Sequence, residues 1–164
     1  MSKKIILNIL ITGASGFLGS ALARRLSEMN YQVTLLVRKN TNLYRLHNLV
    51  PFKIGRCETD LEISRFINDS FPDVVIHTAC CYGRKGESLT QIIDSNIRFG
   101  AQILSALSKI EKKISFINTG TVLSSDVNLY ALTKVQFEEL GVHITNNPNQ
   151  NIQFINIKLQ HMYG

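Results

Sequence analysis

The chain has 164 residues, of which 45% are hydrophobic and 18% charged, with a formal net charge of +6. This length suits one globular core and is too short for two domains of ordinary size, so we expect one layered domain. The apolar runs are shorter than the roughly 18 residues of a membrane span, and the N-terminal run is broken by Asn8, so we expect neither a membrane segment nor a signal peptide.

The cysteines and the basic residues narrow the possible partners. Cys57, Cys80 and Cys81 are odd in number and two are adjacent, which suits neither a disulfide framework nor the common zinc spacings. We therefore expect a cytoplasmic protein without a metal site. The lysines and arginines are scattered and do not alternate with aromatic residues, so we expect no nucleic acid and favour anionic small molecules as partners.

The apolar run Ile5 to Thr12 predicts a buried strand, and the helical periodicity from Phe17 to Met29 predicts the first helix. Between them lies a glycine turn. Gly13 can take a positive φ, Gly16 allows close approach of a pyrophosphate, and Gly19 allows the helix to pack on the strand. A helix N-terminus at this point favours a bound phosphate.

The segment Gln32 to Val37 predicts the second strand, which completes a βαβ unit. Strand two is followed by Arg38 and Lys39, where many dinucleotide-binding folds carry an acid for the ribose hydroxyl. An arginine at this point can instead pair with a 2′-phosphate. The alternative is an ordinary solvated basic loop.

The rest of the chain continues the alternation of strands and helices. Six strands in this order predict an α/β fold, a Rossmann-type doubly wound parallel sheet, with the ligand outside the carboxyl ends of the strands. The predicted segments are a short helix Thr41 to Leu49, strand Phe52 to Ile54, helix Leu61 to Asp69 capped near Thr59, strand Val74 to His77, helix Leu89 to Ile110, strand Ser115 to Asn118, helix Tyr130 to Val142 and strand Ile152 to Lys158.

Two groups near the predicted strand ends can carry proton chemistry. Tyr130 and Lys134 are four residues apart on a helix and so share a face, where a cation would bring the pKa of the phenol toward the working range. His77 ends the fourth strand and could be a base. We favour a packed histidine, because no carboxylate or cysteine stands at a useful spacing.

The glycine turn, together with Tyr130-Ala131-Leu132-Thr133-Lys134 after the fifth strand, resembles the extended short-chain dehydrogenase/reductase family of nucleotide-sugar epimerases, dehydratases and reductases. The resemblance extends to Tyr163-Gly164 and implies one NAD(P)-binding domain over residues 1–164, with NADP(H) as cofactor and a nucleoside-diphosphate sugar as partner. The implied cofactor contacts are Gly13, Ser15, Gly16, Phe17, Leu18, Gly19, Arg38, Thr78, Ala79, Tyr130 and Lys134.

The resemblance also implies the catalytic residues. Thr119 would hydrogen-bond the reacting sugar oxygen, with Thr121 as the alternative, while Tyr130 supplies the proton and Lys134 assists and binds the nicotinamide ribose. The implied substrate contacts are Tyr82, Arg84 and Thr121. Asn96 stands where the family has an asparagine, in a role that is either structural or next to the cofactor.

Other positions bear on the reaction type. Dehydratases of the family carry an acidic pair at the places of Gly120 and Thr121, and epimerase-reductases carry a cysteine at the place of Thr121, so the resemblance implies a reductase or a simple 4-epimerase. Three segments look most like CDP-paratose and CDP-abequose synthases: the loop Cys81 to Arg84, the predicted turn Asn118 to Thr121, and the segment Leu129 to Lys134. These enzymes reduce the 4-keto group of a CDP-3,6-dideoxyhexose with NADPH for the lipopolysaccharide O-antigen.

The chain departs from the family pattern in three places. Lys158 replaces an arginine of strand six, and no aspartate follows strand three around Arg56, Cys57 and Glu58. Family members also continue into a sugar-nucleotide domain, so we expect this chain alone to bind dinucleotide weakly and to turn over no sugar nucleotide.

Three functions stay open: an NADPH-dependent 4-keto reductase, a 4-epimerase that retains NAD, and a cofactor-binding protein without turnover. A homodimer through the helices around 89–110 and 130–142 is also expected.

Overall fold

The computed structural model describes residues 6–47, 52–147 and 149–160. Its strands are β1 Asn8–Thr12, β2 Gln32–Val37, β3 Lys53–Arg56, β4 Val74–His77, β5 Ile114–Thr121 and β6 Ile152–Leu159. These six strands form one all-parallel sheet in the order β3-β2-β1-β4-β5-β6, which confirms the predicted doubly wound topology.

Helices cover both faces of the sheet, and each face has its own apolar core. The helices are α1 Phe17–Glu28, α2 Asp60–Ser70, α3 Leu89–Ile93, α4 Phe99–Leu107 and α5 Leu129–Thr145. One core joins Leu10, Leu36, Val75 and Phe116 of the strands to α2, α4 and α5, and the other joins Ile9, Ile11, Val33 and Leu35 to α1.

Three of the helices begin at side-chain caps that the sequence encodes locally. A cap was predicted near Thr59-Asp60, and Thr59 and Glu62 form a capping box at the start of α2. Ser88 and Gln91 form another at the start of α3. At α5 the side chain of Asn128 accepts a hydrogen bond from the backbone of the first turn. The last cap fixes where the helix that carries Tyr130 and Lys134 begins.

Several predicted boundaries in the first half were wrong. β1 begins at Asn8, since residues 6 and 7 lie outside the strand and Ile5 lies outside the described residues. The predicted helix Thr41 to Leu49 is a single 3₁₀ turn, Tyr44–Leu46, and its last two residues are likewise outside the described part. Strand three runs two residues further than expected because Gly55 and Arg56 pair with β2 on an exposed edge that no apolar pattern marks.

The boundaries in the second half matter for the site. β5 extends through Thr119, Gly120 and Thr121, which pair with β6. The prediction of a turn over Asn118 to Thr121 was therefore wrong, because these residues belong to the strand. The predicted helix over 89–110 is divided by a π-helical turn, Asp94–Arg98, and ends at Leu107. The helices α1 and α5 differ from prediction only at their ends, by one residue in α1 and by up to three in α5.

No helix among the described residues is both long and apolar enough to cross a membrane. The same part of the chain contains no cluster of three or more His, Cys, Asp or Glu side chains that could hold a metal ion.

His77 lies in the core at the end of β4, as the packed interpretation predicted. Its ring has no exposed surface and lies 5.4 to 5.9 Å from the rings of Phe99, Phe116 and Phe137. Its Nδ1 shares a hydrogen bond of 2.8 Å with the hydroxyl of Thr12 on β1. Burial, with a smaller effect from Lys134, lowers the pKa of His77 from 6.5 to about 3, so the folded chain holds this ring neutral.

This neutral histidine makes stability depend on pH. The unfolded chain binds a proton at His77 below pH 6.5, whereas the folded chain does so only near pH 3. The stabilisation is therefore complete above pH 6.5 and is lost as the pH falls, by about 1.4 kcal/mol for each pH unit. Urea unfolding at a series of pH values should show this slope in the wild type and not in His77→Gln, while His143→Gln, at an exposed site, retains it. The comparison is made above the pH range in which carboxyl groups titrate. If the unfolding free energy changes equally with pH in the wild type and in His77→Gln, the assignment of this pH dependence to His77 is contradicted.

Candidate nucleotide-binding and catalytic cleft

A cleft of about 1000 Å³ opens at the carboxyl ends of the strands, where a doubly wound sheet binds its ligand. The cleft lies beside the N-terminus of α1 and extends along β5 to α5. It is lined by every residue that the sequence predicted for cofactor, catalysis or substrate: Gly13, Ser15, Gly16, Phe17, Leu18, Gly19, Arg38, Thr78, Ala79, Tyr82, Arg84, Thr119, Thr121, Tyr130 and Lys134.

The glycine turn has the geometry that its sequence predicts. Gly13 adopts φ +69°, and a Cβ at this position would lie 2.5 Å from the backbone nitrogen of Ala79. A Cβ on Gly19 would meet the carbonyl oxygen of Gly13, so α1 and the turn touch through their backbones. The Thr78 hydroxyl donates to the carbonyl of Thr12 at 2.7 Å and closes the opposite side. The turn therefore fits a pyrophosphate at the N-terminus of α1.

Arg38 extends from the end of β2 into the cleft. Its Nη2 donates a hydrogen bond of 2.9 Å to the hydroxyl of Ser95, which lies in the π-helical turn. Glu58, which follows β3, also lines the cleft. Glu58 stands where the aspartate of the family pattern is missing, and it was not predicted as a cofactor contact.

Lys134 reaches the cleft from α5 and is 2% exposed. Its Nζ is buried and has no hydrogen-bond partner among the described residues. Burial lowers the pKa of Lys134, an effect that Cys80 partly opposes. A buried ammonium that faces a polar cleft without a partner can bind the hydroxyls of a ribose, so this side chain fits the dinucleotide as the glycine turn does.

Tyr130 is half-buried one turn before Lys134, and the groups around its hydroxyl differ from expectation. Burial raises its pKa above the ordinary value, and Cys80 and Tyr82 raise it further, while a hydrogen bond with Thr121 acts in the opposite direction. Lys134 is not among the groups that shift the pKa of Tyr130. The prediction that Lys134 brings this pKa toward neutrality is wrong for the chain as it stands, because the phenol faces the β4 loop and the end of β5.

The two candidate threonines, Thr119 and Thr121, are two residues apart on β5 and so lie on the same side of the strand. The Thr119 hydroxyl donates to the carbonyl of His77 at 3.0 Å, and the Thr121 hydroxyl accepts from the backbone of Leu123 at 3.1 Å. Thr121 also takes part in the hydrogen bond that lowers the pKa of Tyr130. Both threonines line the cleft, and the catalytic role of Thr119 stays a prediction.

The loop after β4 forms an aromatic wall beside Tyr130. The ring of Tyr82 stacks on that of Tyr130, with centroids 4.6 Å apart and an interplanar angle of 26°. The guanidinium of Arg84 lies 5.3 Å from the centroid of Tyr82. Cys80 also lines the cleft and was missed, since the cysteine pair was considered only for disulfides and zinc.

Asn96 is 1% exposed in the π-helical turn, and its place in the structure is now clear. Its side chain accepts from the backbone nitrogen of Cys81 at 2.6 Å, and donates to the carbonyl of Cys81 and the hydroxyl of Thr133, each at 2.9 Å. Asn96 does not line the cleft. Of the two roles expected, the structure supports the structural one.

Comparison with known proteins gives the same fold. The profile of the NAD dependent epimerase/dehydratase family matches residues 9–164. CDP-abequose synthase from Salmonella typhimurium is 29% identical over 165 residues, which cover 95% of this chain and 53% of that protein. The homologue from Salmonella muenchen is 26% identical with the same coverage. The chain thus spans about half the length of the curated relatives it matches.

Solved structures of other proteins have the same fold as this chain. UDP-glucose 4-epimerase from Thermotoga maritima, solved with UDP-glucose, superposes with a TM-score of 0.79 at 18% identity, over 93% of this chain and 55% of the other. UDP-glucuronic acid 4-epimerase from Bacillus cereus, solved with NAD, superposes with a TM-score of 0.72 at 25% identity, over 92% and 55%.

Proposed function

The chain belongs to the NAD dependent epimerase/dehydratase family, and we propose that it carries the cofactor-binding and catalytic residues of an NADPH-dependent 4-keto reductase. Its substrate would be a nucleoside-diphosphate sugar of the CDP-3,6-dideoxyhexose type. The observation that carries the proposal is the cleft that holds the glycine turn, Arg38, the two threonines of β5 and the pair Tyr130 and Lys134.

The cofactor would lie along the cleft from Arg38 to Lys134. The glycine turn and the N-terminus of α1 would bind the pyrophosphate, and the unpartnered Nζ of Lys134 would bind the nicotinamide ribose. When bound, the nicotinamide supplies the hydride that adds to the carbonyl carbon of the sugar. Solved structures of the same fold that contain NAD support a nicotinamide dinucleotide at this place.

The chain's own residues would manage the proton and the orientation. Tyr130 gives the phenolic proton to the former carbonyl oxygen as the hydride adds to carbon, and a threonine hydroxyl of β5 holds that oxygen in place. Tyr82 and Arg84, which stack beside Tyr130, would contact the sugar nucleotide. The likeness to CDP-abequose synthases supports the CDP-sugar class.

Tyr130 carries the proton that a reduction requires. Burial and two neighbouring groups raise the pKa of Tyr130, so the phenol carries its proton at neutral pH. A reductase needs this form, since its tyrosine donates. A 4-epimerase begins by removing a proton from the sugar hydroxyl and needs the phenolate first.

The runner-up is a 4-epimerase that retains NAD. Glu58 favours it, because a carboxylate on this wall of the cleft can accept hydrogen bonds from ribose hydroxyls and repels a 2′-phosphate. The expected homodimer stays a prediction, supported by exposed apolar side chains on the helices concerned, Leu89, Ile93, Leu129 and Val142.

Cofactor choice provides the first test. Arg38 can make charge-assisted hydrogen bonds to a 2′-phosphate, which contribute ~1.5–3 kcal/mol each, about tenfold or more in affinity. Calorimetric titration should give tighter binding of NADP⁺ than of NAD⁺, and Arg38→Asp should reverse the preference. Arg24→Asp, the same charge reversal at an exposed place on α1 outside the cleft, should leave the ratio unchanged. Equal wild-type affinities would show that the cofactor assignment is wrong.

The second test concerns the reaction and uses the full protein that the gene encodes. Reduction of a CDP-4-keto-sugar should consume NADPH stoichiometrically, and Tyr130→Phe should lower kcat by the ~10²–10⁴ of a lost general acid while cofactor affinity stays nearly constant. Tyr44→Phe, outside the cleft, should leave kcat as it is. Sugar epimerised without net NADPH oxidation would establish the runner-up, and undiminished turnover in Tyr130→Phe would exclude the proposed proton donor.

A further inference from the structure

The guanidinium of Arg38 is held at its tip by a residue far away in the sequence. Arg38 is exposed, yet its Nη2 donates to the hydroxyl of Ser95 at 2.9 Å, across 57 positions of the chain. The backbone beside it is also held, because Nη1 of Arg56 donates to the carbonyls of Lys39 at 2.8 Å and Thr41 at 3.0 Å. The side chain is therefore fixed at both ends.

Ser95 is a rigid partner for this bond. It is 6% exposed and lies in the π-helical turn Asp94–Arg98, next to Asn96, whose hydrogen bonds anchor that turn to the β4 loop and to α5. π-helical turns of this kind occur frequently at functional sites. The hydroxyl of Ser95 does not line the cleft, so it reaches a bound ligand only through Arg38.

This arrangement leaves Arg38 most of its binding capacity. A guanidinium has five N–H donors, and one is used by Ser95, so four stay available for an anion. An exposed arginine without such a bond would sample many rotamers and would lose that freedom when it binds a phosphate. The bond to Ser95 removes part of this cost in advance.

We infer that Ser95 is a positioning residue that sets the cofactor preference, by holding the Arg38 guanidinium where the 2′-phosphate of a dinucleotide binds. The inference rests on the proposed binding of NADP(H) and extends it to a second residue outside the cleft. Its effect is confined to ligands that carry the 2′-phosphate, because NAD(H) has no group for the oriented guanidinium to pair with.

The experiment titrates NADP⁺ and NAD⁺ by calorimetry into the 164-residue chain and its variants. In Ser95→Ala the dissociation constant for NADP⁺ should rise about three- to tenfold, the range expected when one long side chain must be ordered on binding. The constant for NAD⁺ should stay within about twofold of the wild type, a difference too small to reflect such ordering. Ser95→Thr, which keeps the hydroxyl, should restore NADP⁺ binding. Ser108→Ala, an exposed serine just after α4, is the matched control and should change neither constant.

A double-mutant cycle shows whether Ser95 acts through Arg38. Arg38→Ala should abolish the preference for NADP⁺, and adding Ser95→Ala to it should cause no further loss. A purely structural role predicts equal losses for both cofactors in Ser95→Ala, and that result would overturn the inference, as would unchanged or tighter NADP⁺ binding. Equal wild-type affinities would overturn the cofactor assignment and this inference together, whereas a wild-type preference that Ser95→Ala leaves intact would overturn the inference alone.

Discussion

The site depends on the buried side chain of Asn96. Its three hydrogen bonds join the π-helical turn to both backbone groups of Cys81 and to Thr133, which lies between Tyr130 and Lys134 on α5. Because a buried amide left without partners is costly, these bonds fix the spacing of three elements at once. The β4 loop that carries Tyr82 and the helix that carries Tyr130 are thereby held at the distance at which their rings stack.

The π-helical turn also explains how one helix serves both ends of the cleft. Ser95 and Asn96 are consecutive and both buried; Ser95 binds Arg38 on one side and Asn96 binds α5 on the other. The π turn lies where both side chains make these hydrogen bonds. The Arg38 end and the Tyr130 end of the cleft thus share one rigid support.

The sequence predicted the sheet and its six strands, because apolar runs, glycines and helical spacing are local signals. The site residues were implied by the family resemblance, and they line one cleft. The sequence missed the π turn, since its residues have the apolar spacing of an ordinary helix. It also ended β5 too early: Thr119 to Thr121 are polar, and their strand conformation comes from pairing with β6, a contact between distant parts of the chain. The environment of the Tyr130 hydroxyl was missed for the same reason, as Cys80 and Tyr82 approach it from another element.

Lys134 is the position at which function and stability oppose each other. Its ammonium is buried without a partner among the described residues, and this burial lowers the pKa of Lys134. Its charge adds to the burial of His77 in lowering the pKa of that histidine. An apolar residue of similar size would pack there without this desolvation cost. Nothing in the packing of α5 requires a charge at this position, whereas a ribose or substrate hydroxyl in the cleft would satisfy it. Because the described residues offer this buried amine no hydrogen-bond partner, a ligand in the cleft best explains why a lysine occupies the position.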